Sequence, residues 1–224
     1  MYGQAIGEGS IPPVPFEQPK NLFRYGEQSI YSTQLHQAGA IANSSFRLFS
    51  TPLGQVGQGF TNALTIAETN LKEGGRVPAG VAFDIFGVSC MIALASADND
   101  TGTINTAIDT QARVQSLLNI VQNGVLSWDF TQTQVDIAPI SLVGAGGGAF
   151  GSVSTGNASD VGHMNNGAGS VWLYRKHPVA LPGSSTFSIL LRYGSRAAAI
   201  AAASNSVYVR VALLGYYKNV IEIG

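Results

Sequence analysis

A single cysteine, Cys90, stands in the 224 residues. One thiol cannot close an intrachain disulfide or build a cysteine-based zinc site, so neither staple holds this fold. Cys90 lies in the apolar run Val88-Ser89-Cys90-Met91-Ile92 and is expected as a small buried hydrophobe. Charge is scarce as well. Asp, Glu, Lys and Arg make up 11% of the chain, against about 25% in typical domains. Twelve Lys+Arg against thirteen Asp+Glu leave a net charge of −1, which excludes a basic protein coating nucleic acid by counterion release and an acidic disordered chain. No run approaches the roughly 18 apolar residues of a membrane-spanning helix. The start, Met1-Tyr2-Gly3-Gln4, lacks the basic and apolar regions of a secretory signal, so folding in a cytoplasm is expected. The sequons at Asn43, Asn99 and Asn157 carry no weight in that setting.

What remains is apolar and rich in glycine: 45% hydrophobic residues and 27 glycines. A chain of this length buries about 70% of its unfolded surface without metal or disulfide help. A soluble monomer covers itself with charge. This chain has little to use, so much of its surface is expected to be covered by other protein.

Residues 1–43 read as an extended N-terminal arm. They carry Gly3, Gly7, Gly9 and the cluster Pro12-Pro13-Val14-Pro15, which disfavour helix and central strand. Ile11, Val14, Phe16, Leu22, Phe23, Ile30, Tyr31 and Leu35 make the arm more apolar than a disordered tail. It is expected to pack on its own body or on a neighbour. Lys20 and Arg24 against Glu8, Glu17 and Glu27 do not suit a genome-binding tail.

Residues 44–224 read as one mainly β domain. Phe46-Arg47-Leu48-Phe49 predicts a short strand. Val81 to Ala95 alternates at Phe83 and Ile85, then changes phase to Phe86, Val88, Cys90, Ile92 and Leu94; a one-residue phase change predicts a bulge or bend. Leu126, Trp128 and Phe130 alternate, Val135 and Ile137 lead to Pro139, and Val171 to Tyr174 adds a short segment. Two clean period-2 faces follow: Phe187, Ile189, Leu191 and Tyr193, then Val207, Val209, Val211 and Leu213, with Tyr208 and Arg210 opposite. A helix is predicted from the capping pattern Thr106-Ala107-Ile108-Asp109 to a stop at Asn123-Gly124. A shorter helical turn is predicted near Ala63 to Leu71, and the alanine run Ala197 to Ala203 reads as a loop insertion. Seven or eight strands without a βαβ rhythm mean an all-β sandwich or barrel.

Chemical motifs are weak. Gly146-Gly147-Gly148-Ala149-Phe150-Gly151 fits G-x-G-x-x-G, but Ser152-Val153-Ser154-Thr155-Gly156-Asn157 cannot open the helix that a dinucleotide site needs. Asp98 and Asp100, in Asp98-Asn99-Asp100-Thr101-Gly102, are candidate calcium ligands. The loop pattern has no Glu at its twelfth position, so an Asx-rich turn is the favoured reading. His36, His163 and His177 are far apart. Asp160 and His163 share a serine-rich loop, but no G-x-S-x-G elbow accompanies them. Trp172, Tyr174, Tyr208, Tyr216 and Tyr217 could form a stacking platform, yet basic residues do not interleave with them, and core or subunit-contact roles are favoured. No catalytic residue, cofactor or bound metal is expected.

Several stretches resemble a known family: Phe49-Ser50-Thr51-Pro52-Leu53-Gly54, Glu68-Thr69-Asn70-Leu71, Val77-Pro78-Ala79-Gly80-Val81-Ala82-Phe83, His177-Pro178-Val179-Ala180-Leu181-Pro182 with Ser185-Thr186-Phe187-Ser188-Ile189, and Val207-Tyr208-Val209-Arg210-Val211-Ala212-Leu213-Leu214-Gly215-Tyr216-Tyr217-Lys218. Their order resembles jelly-roll major capsid proteins of tailless, icosahedral bacterial viruses, including members with an internal membrane. The likeness spans residues 46–224. It implies a single jelly-roll sandwich of about eight antiparallel strands, with the arm in front and one or two short helices in loops. Many members carry two rolls, and about 180 residues suffice for one.

The implied role is a structural, non-enzymatic shell subunit that assembles through its loops, arm and apolar patches. Its partners would be copies of itself, other capsid or vertex proteins and an internal viral membrane, without sequence-specific nucleic-acid binding. Its location would be the virion, with assembly in the host cytoplasm. Phe83, Trp128, Phe187, Ile189, Val209 and Val211 are the expected core. Phe16, Phe23, Tyr31, Tyr216 and Tyr217 are the expected subunit contacts. The rival readings are a virion spike or vertex protein, a carbohydrate-binding jelly-roll module using calcium, and a β-scaffold hydrolase using His163 and Asp160.

Overall fold

The computed structural model describes residues 21–36, 45–95, 104–105, 119–130, 133–144, 151–154, 161–164, 171–174, 177–193 and 206–222. The body is built from two antiparallel sheets in a sandwich-like arrangement. The first sheet runs β1 (Asn21–His36), β12 (Val207–Glu222), β3 (Val81–Ala95) and β10 (Val179–Leu181), with β4 (Ile104–Asn105) and β9 (Trp172–Leu173) also pairing with β3. The second runs β2 (Ser45–Leu48), β11 (Phe187–Arg192), β5 (Val125–Phe130) and β6 (Thr133–Pro139). A separate hairpin joins β7 (Gly151–Ser154) to β8 (Val161–Met164).

The alternating segments place the core. Val207, Val209, Val211 and Leu213 from β12 face Phe187, Ile189 and Leu191 from β11 in one buried cluster with Phe83, Leu126 and Trp128. Burying a side chain of this size is worth about 1.5–3 kcal/mol, so the two faces are a large part of what holds the sheets together.

The phase change in β3 is a bulge. Leu214 pairs with Gly87 and Gly215 pairs with Ile85, so Phe86 has no opposite number. The inward set is therefore Phe83, Ile85, Val88, Cys90 and Ile92. Phe86 itself turns outward onto Tyr216, ring centroids 5.1 Å apart, where the sequence placed it on the inward face. Gly215 lets β3 pass close to β12 at the bulge. A Cβ there would stand 2.5 Å from the Asp84 carbonyl oxygen and 2.7 Å from the Phe83 ring.

Of the expected arm, residues 1–20 lie outside the described residues, and Asn21–His36 forms a 16-residue strand of the body, paired with β12 along its whole length. Its inner positions explain why it does not read as a strand. Ser32, Gln34 and His36 are buried polar residues, so the alternation is chemical only on the Leu35 side.

The connection from β2 to β3 folds back over the first sheet. Phe60 and Leu64 cover Leu35, Ala93 and Tyr208 in a second small core, so the outward side of β12 is buried at this end. The helical turn expected near Ala63 to Leu71 is a single turn, in which Glu68 and Thr69 N–H both donate to the Thr65 carbonyl. The Thr65 N–H and hydroxyl donate to Glu68 Oε2 at 2.8 and 2.6 Å. That closed ring satisfies the turn locally and leaves no free end to propagate. Of the predicted longer helix, residues 119–123 are helical and end at Gly124; residues 106–118 lie outside the described residues, as does the alanine run.

Gly215→Ala is expected to lower stability by about 1–3 kcal/mol, because the added methyl overpacks the bulge. Urea unfolding followed by tryptophan fluorescence measures it, and a loss below about 0.5 kcal/mol would contradict the geometry.

Candidate interaction surface

The outer side of the first sheet changes character along its strands. At one end it lies under the Phe60 and Leu64 loop. In the middle, Arg210 is drawn into that loop: its Nε donates to Thr33 Oγ1 at 2.9 Å, and its Nη2 donates to the Ala67 carbonyl. Towards the other end the cover stops, and Phe86, Leu173, Leu214 and Tyr216 come together around Gly87. A Cβ on Gly87 would meet Val171 at 2.7 Å, Leu214 at 3.3 Å and Leu173 at 3.5 Å. Leu173 is 49% exposed and Tyr216 48%. Further exposed apolar side chains are Leu53, Val56 and Ile66 in the β2–β3 connection, Val135 on β6, and Leu142 in the short helical turn after it. They point to several sides of the body rather than to one cleft.

The outer side of the second sheet is different. It carries matched charges on strands two apart, each pair reaching across the strand between them. Arg47 Nη1 lies 2.7 Å from Asp129 Oδ2, and Ser188 Oγ bridges them, accepting from Arg47 at 3.1 Å and donating to Asp129 at 3.1 Å. Arg192 pairs with Asp136 at 3.3 Å, and Ser127 donates to the same Asp136 oxygen at 2.7 Å. Two arginines offset two aspartates, so this face is polar but electrically neutral. A cleft of about 430 Å³ opens beside Arg47, Asp129, Phe130 and Ser188.

The residues expected as subunit contacts separate. Phe16 lies outside the described residues. Phe23 falls in β1, opposite Val220, and its side chain lies outside the described residues. Tyr31 is engaged within the chain: its N–H donates to Asn70 Oδ1 at 2.9 Å, its hydroxyl donates to the Ile66 carbonyl at 2.6 Å, and the Arg210 guanidinium lies 5.6 Å from its ring centroid. Tyr217 is half-buried and lies across Gly26, whose Cβ would stand 2.5 Å from the ring. Of the three whose side chains are described, Tyr216 is the exposed one, at 48%. Leu173 and Phe86 were not singled out; the signal that could have found them was the phase change that frees Phe86 from the core.

The chemical candidates separate too. Asp98, Asp100 and Asp160 lie outside the described residues. His163 falls in β8 opposite Ser152, His36 is buried against Phe46 and Tyr193, and His177 is exposed. Among the described residues no group of three His, Cys, Asp or Glu could hold a metal ion. Gly151 opens a strand, not the helix that a dinucleotide loop requires. The tyrosine–tryptophan platform is divided: Tyr208 is buried under Phe60, and the Tyr174 hydroxyl accepts the Trp128 Nε1–H at 2.8 Å.

Cys90 is fully buried, and burial pushes its thiol from 9.0 up to about 12. Tyr193 nearby is also raised well above 10.0, by burial first and by Cys90 second. Both groups are held in their neutral forms, which is the opposite of an activated nucleophile. Comparison of the chain with family models, with curated proteins and with solved structures gives no match.

Two outcomes follow from these groups. Above the thiol's unfolded value of 9.0, the unfolded chain releases a proton that the folded chain keeps. Stability therefore falls as pH rises from about 9 towards 12, by about 1 kcal/mol per pH unit from this group. Cys90→Ala should remove that slope between pH 9 and 10 in urea titrations; an unchanged slope would show that other groups cause it. The Arg47–Asp129 pair, with side chains 54% and 17% exposed, should show a coupling of about 0.2–1 kcal/mol in a double-mutant cycle, weakened by salt. A coupling that salt leaves unchanged would contradict a pair open to solvent.

Proposed function

We propose that this chain is a single jelly-roll subunit of an icosahedral viral shell, a structural protein that assembles with copies of itself. The strand pairing is the observation that carries the reading. Take β1, β2, β3, β5, β6, β10, β11 and β12 as the first to the eighth principal strands. The first then pairs with the eighth, the second with the seventh, the third with the sixth and the fourth with the fifth. That is one antiparallel ribbon folded at its middle and wrapped, which gives the sheet orders 1-8-3-6 and 2-7-4-5. A jelly roll wraps a ribbon of eight strands into two sheets, so this pairing supports the jelly-roll reading.

A fold by itself carries no function, so the surface supplies the second support. The chain has few charges, and it exposes apolar side chains on several sides. Contact cores are depleted of charge and enriched in aromatic residues. A subunit surrounded by neighbours uses such a surface, whereas a solitary soluble protein is penalised by it. In this reading the partners are other copies, capsid or vertex proteins and an internal viral membrane. The location is the virion, after assembly in the host cytoplasm.

A carbohydrate-binding module or virion spike is the second reading, favoured by the neutral, polar cleft beside Arg47, Asp129 and Phe130. Fixed donors and acceptors next to an aromatic ring suit a polyhydroxylated ligand.

Electron microscopy and light scattering of the purified chain test the first reading. Closed particles or regular capsomers are expected. Leu173→Glu with Tyr216→Glu should abolish them while circular dichroism and the thermal midpoint stay near those of the unaltered chain. A monodisperse monomer at high concentration, with strong glycan-array binding lost in Arg47→Ala, would replace the shell reading with the second.

A further inference from the structure

The two sheets differ in length. β1 and β12 each run for 16 residues, whereas β2 has 4 and β5 and β11 have 6 each. At about 3.3 Å per residue the first sheet therefore overhangs the second. Residues 70–78 pass beneath the overhang and cover it only in part, which leaves a groove of about 260 Å³. Its floor is core: Val77, Phe83 and Phe187 line it although each is almost fully buried. Ile30, Val81 and Tyr217 wall it, half-buried against the same core. The Tyr217 ring lies over Gly26, where a side chain would collide with it, so this wall is fixed.

Size and charge decide what fits. An apolar cavity of about 150 Å³ holds benzene, so this groove has room for a tail of about ten carbons. The floor is hydrocarbon and aromatic ring. A sugar or polyol would lose its hydrogen bonds there, whereas an alkyl chain gains by leaving water. The mouth is charged. Lys72, Glu73 and Arg76 stand there, all exposed, and none of them forms an ion pair among the described residues. Two cations against one carboxylate leave a positive charge unmatched. Asn70 at the same mouth is tied to β1 on both sides of its amide: Nδ2 donates to the Ser29 carbonyl at 2.8 Å and Oδ1 accepts the Tyr31 N–H at 2.9 Å. Those bonds hold the opposite wall in place.

We propose that this groove binds a medium-chain fatty acid, its alkyl tail over Phe83 and Phe187 and its carboxylate at Lys72 and Arg76. The proposal does not rest on the shell reading, since every residue it uses belongs to one chain and lies away from the exposed Leu173 and Tyr216.

Isothermal titration calorimetry of the full chain with sodium decanoate tests it. The same titration on the Leu173→Glu/Tyr216→Glu chain removes assembly and the exposed patch from the measurement. One-to-one uptake with a negative heat-capacity change is expected for both. Octanoate, two methylenes shorter, should bind about tenfold more weakly. Decyltrimethylammonium, with the opposite head charge, should bind about fivefold more weakly than decanoate. Lys72→Glu with Arg76→Glu changes only exposed side chains and should reverse that preference. Ile30→Trp fills the groove and should abolish uptake, with circular dichroism checking that the sheets are intact; should it fail to fold, the charge reversal still decides. Heat of dilution alone, uptake indifferent to the charge reversal, or uptake lost in Leu173→Glu/Tyr216→Glu would each overturn the proposal. Binding of anionic phospholipid vesicles without uptake of free decanoate would overturn it too, by assigning the positive mouth to a membrane surface. None of these results bears on the particles that electron microscopy scores.

Discussion

The inward face of β12 is the constraint on which the rest depends. Val207, Val209, Val211 and Leu213 are all buried, and they lie on the strand that joins β1 to β3. A row of four large apolar side chains must be covered by a second layer, and β11 supplies it with Phe187, Ile189 and Leu191. Once these rows face each other, the register of both neighbours of β12 is set, because a slip by one residue would turn each apolar row to the wrong side. The bulge at Phe86 is the one place where the register yields. It lets the far end of β3 turn a second set of side chains inward, and it pushes Phe86 out onto Tyr216. The exposed aromatic cluster is thus a consequence of how the core closes, not a separate decoration.

The reading from sequence succeeded where burial was one-sided and the core chemically simple. β11 and β12 announce themselves because their inward residues are apolar at every second position. The phase change in β3 is visible for the same reason. It was coarser where burial and apolarity part company. β1 hides Ser32, Gln34 and His36 inside, so the sequence predicts an extended segment packing on the body or a neighbour without marking Asn21–His36 as a strand. Phe49 sits at φ 67 without being glycine. Its N–H is held by Ser32 Oγ at 2.9 Å and its ring lies against Phe187. Such a conformation is set by tertiary partners and leaves no local trace. The cover that Phe60 and Leu64 lay over Tyr208 is equally non-local. It made an outward-facing tyrosine part of a core.

Of the residues expected as subunit contacts, Tyr216 is exposed on the open half of the first sheet. Tyr31 and Tyr217 also have partners within the chain: the Tyr31 hydroxyl ties down the β2–β3 connection, and the Tyr217 ring lies over Gly26. Charged residues are 11% of the chain, and on the open half of the first sheet Leu173 and Tyr216 stand exposed.

The two halves of β1 show how the fold handles a sheet edge. Along Ser29 to Leu35 the edge is occupied: Asn70 Nδ2 donates to the Ser29 carbonyl at 2.8 Å, Thr69 Oγ1 donates to the Tyr31 carbonyl at 3.0 Å, and the Leu35 N–H donates to the Gln58 carbonyl at 3.2 Å. Side chains and loop backbone stand in for a missing strand there. From Asn21 to Gln28, β12 is the only strand paired with it among the described residues. An open edge invites another backbone, and the usual defences are charge and proline. This stretch holds one of each charge, Arg24 and Glu27, and Pro19 precedes it. Charges and a preceding proline of this kind discourage a flat, unlimited stack of edges, so the stretch that no loop covers among the described residues is also the one that carries the sequence-level defences.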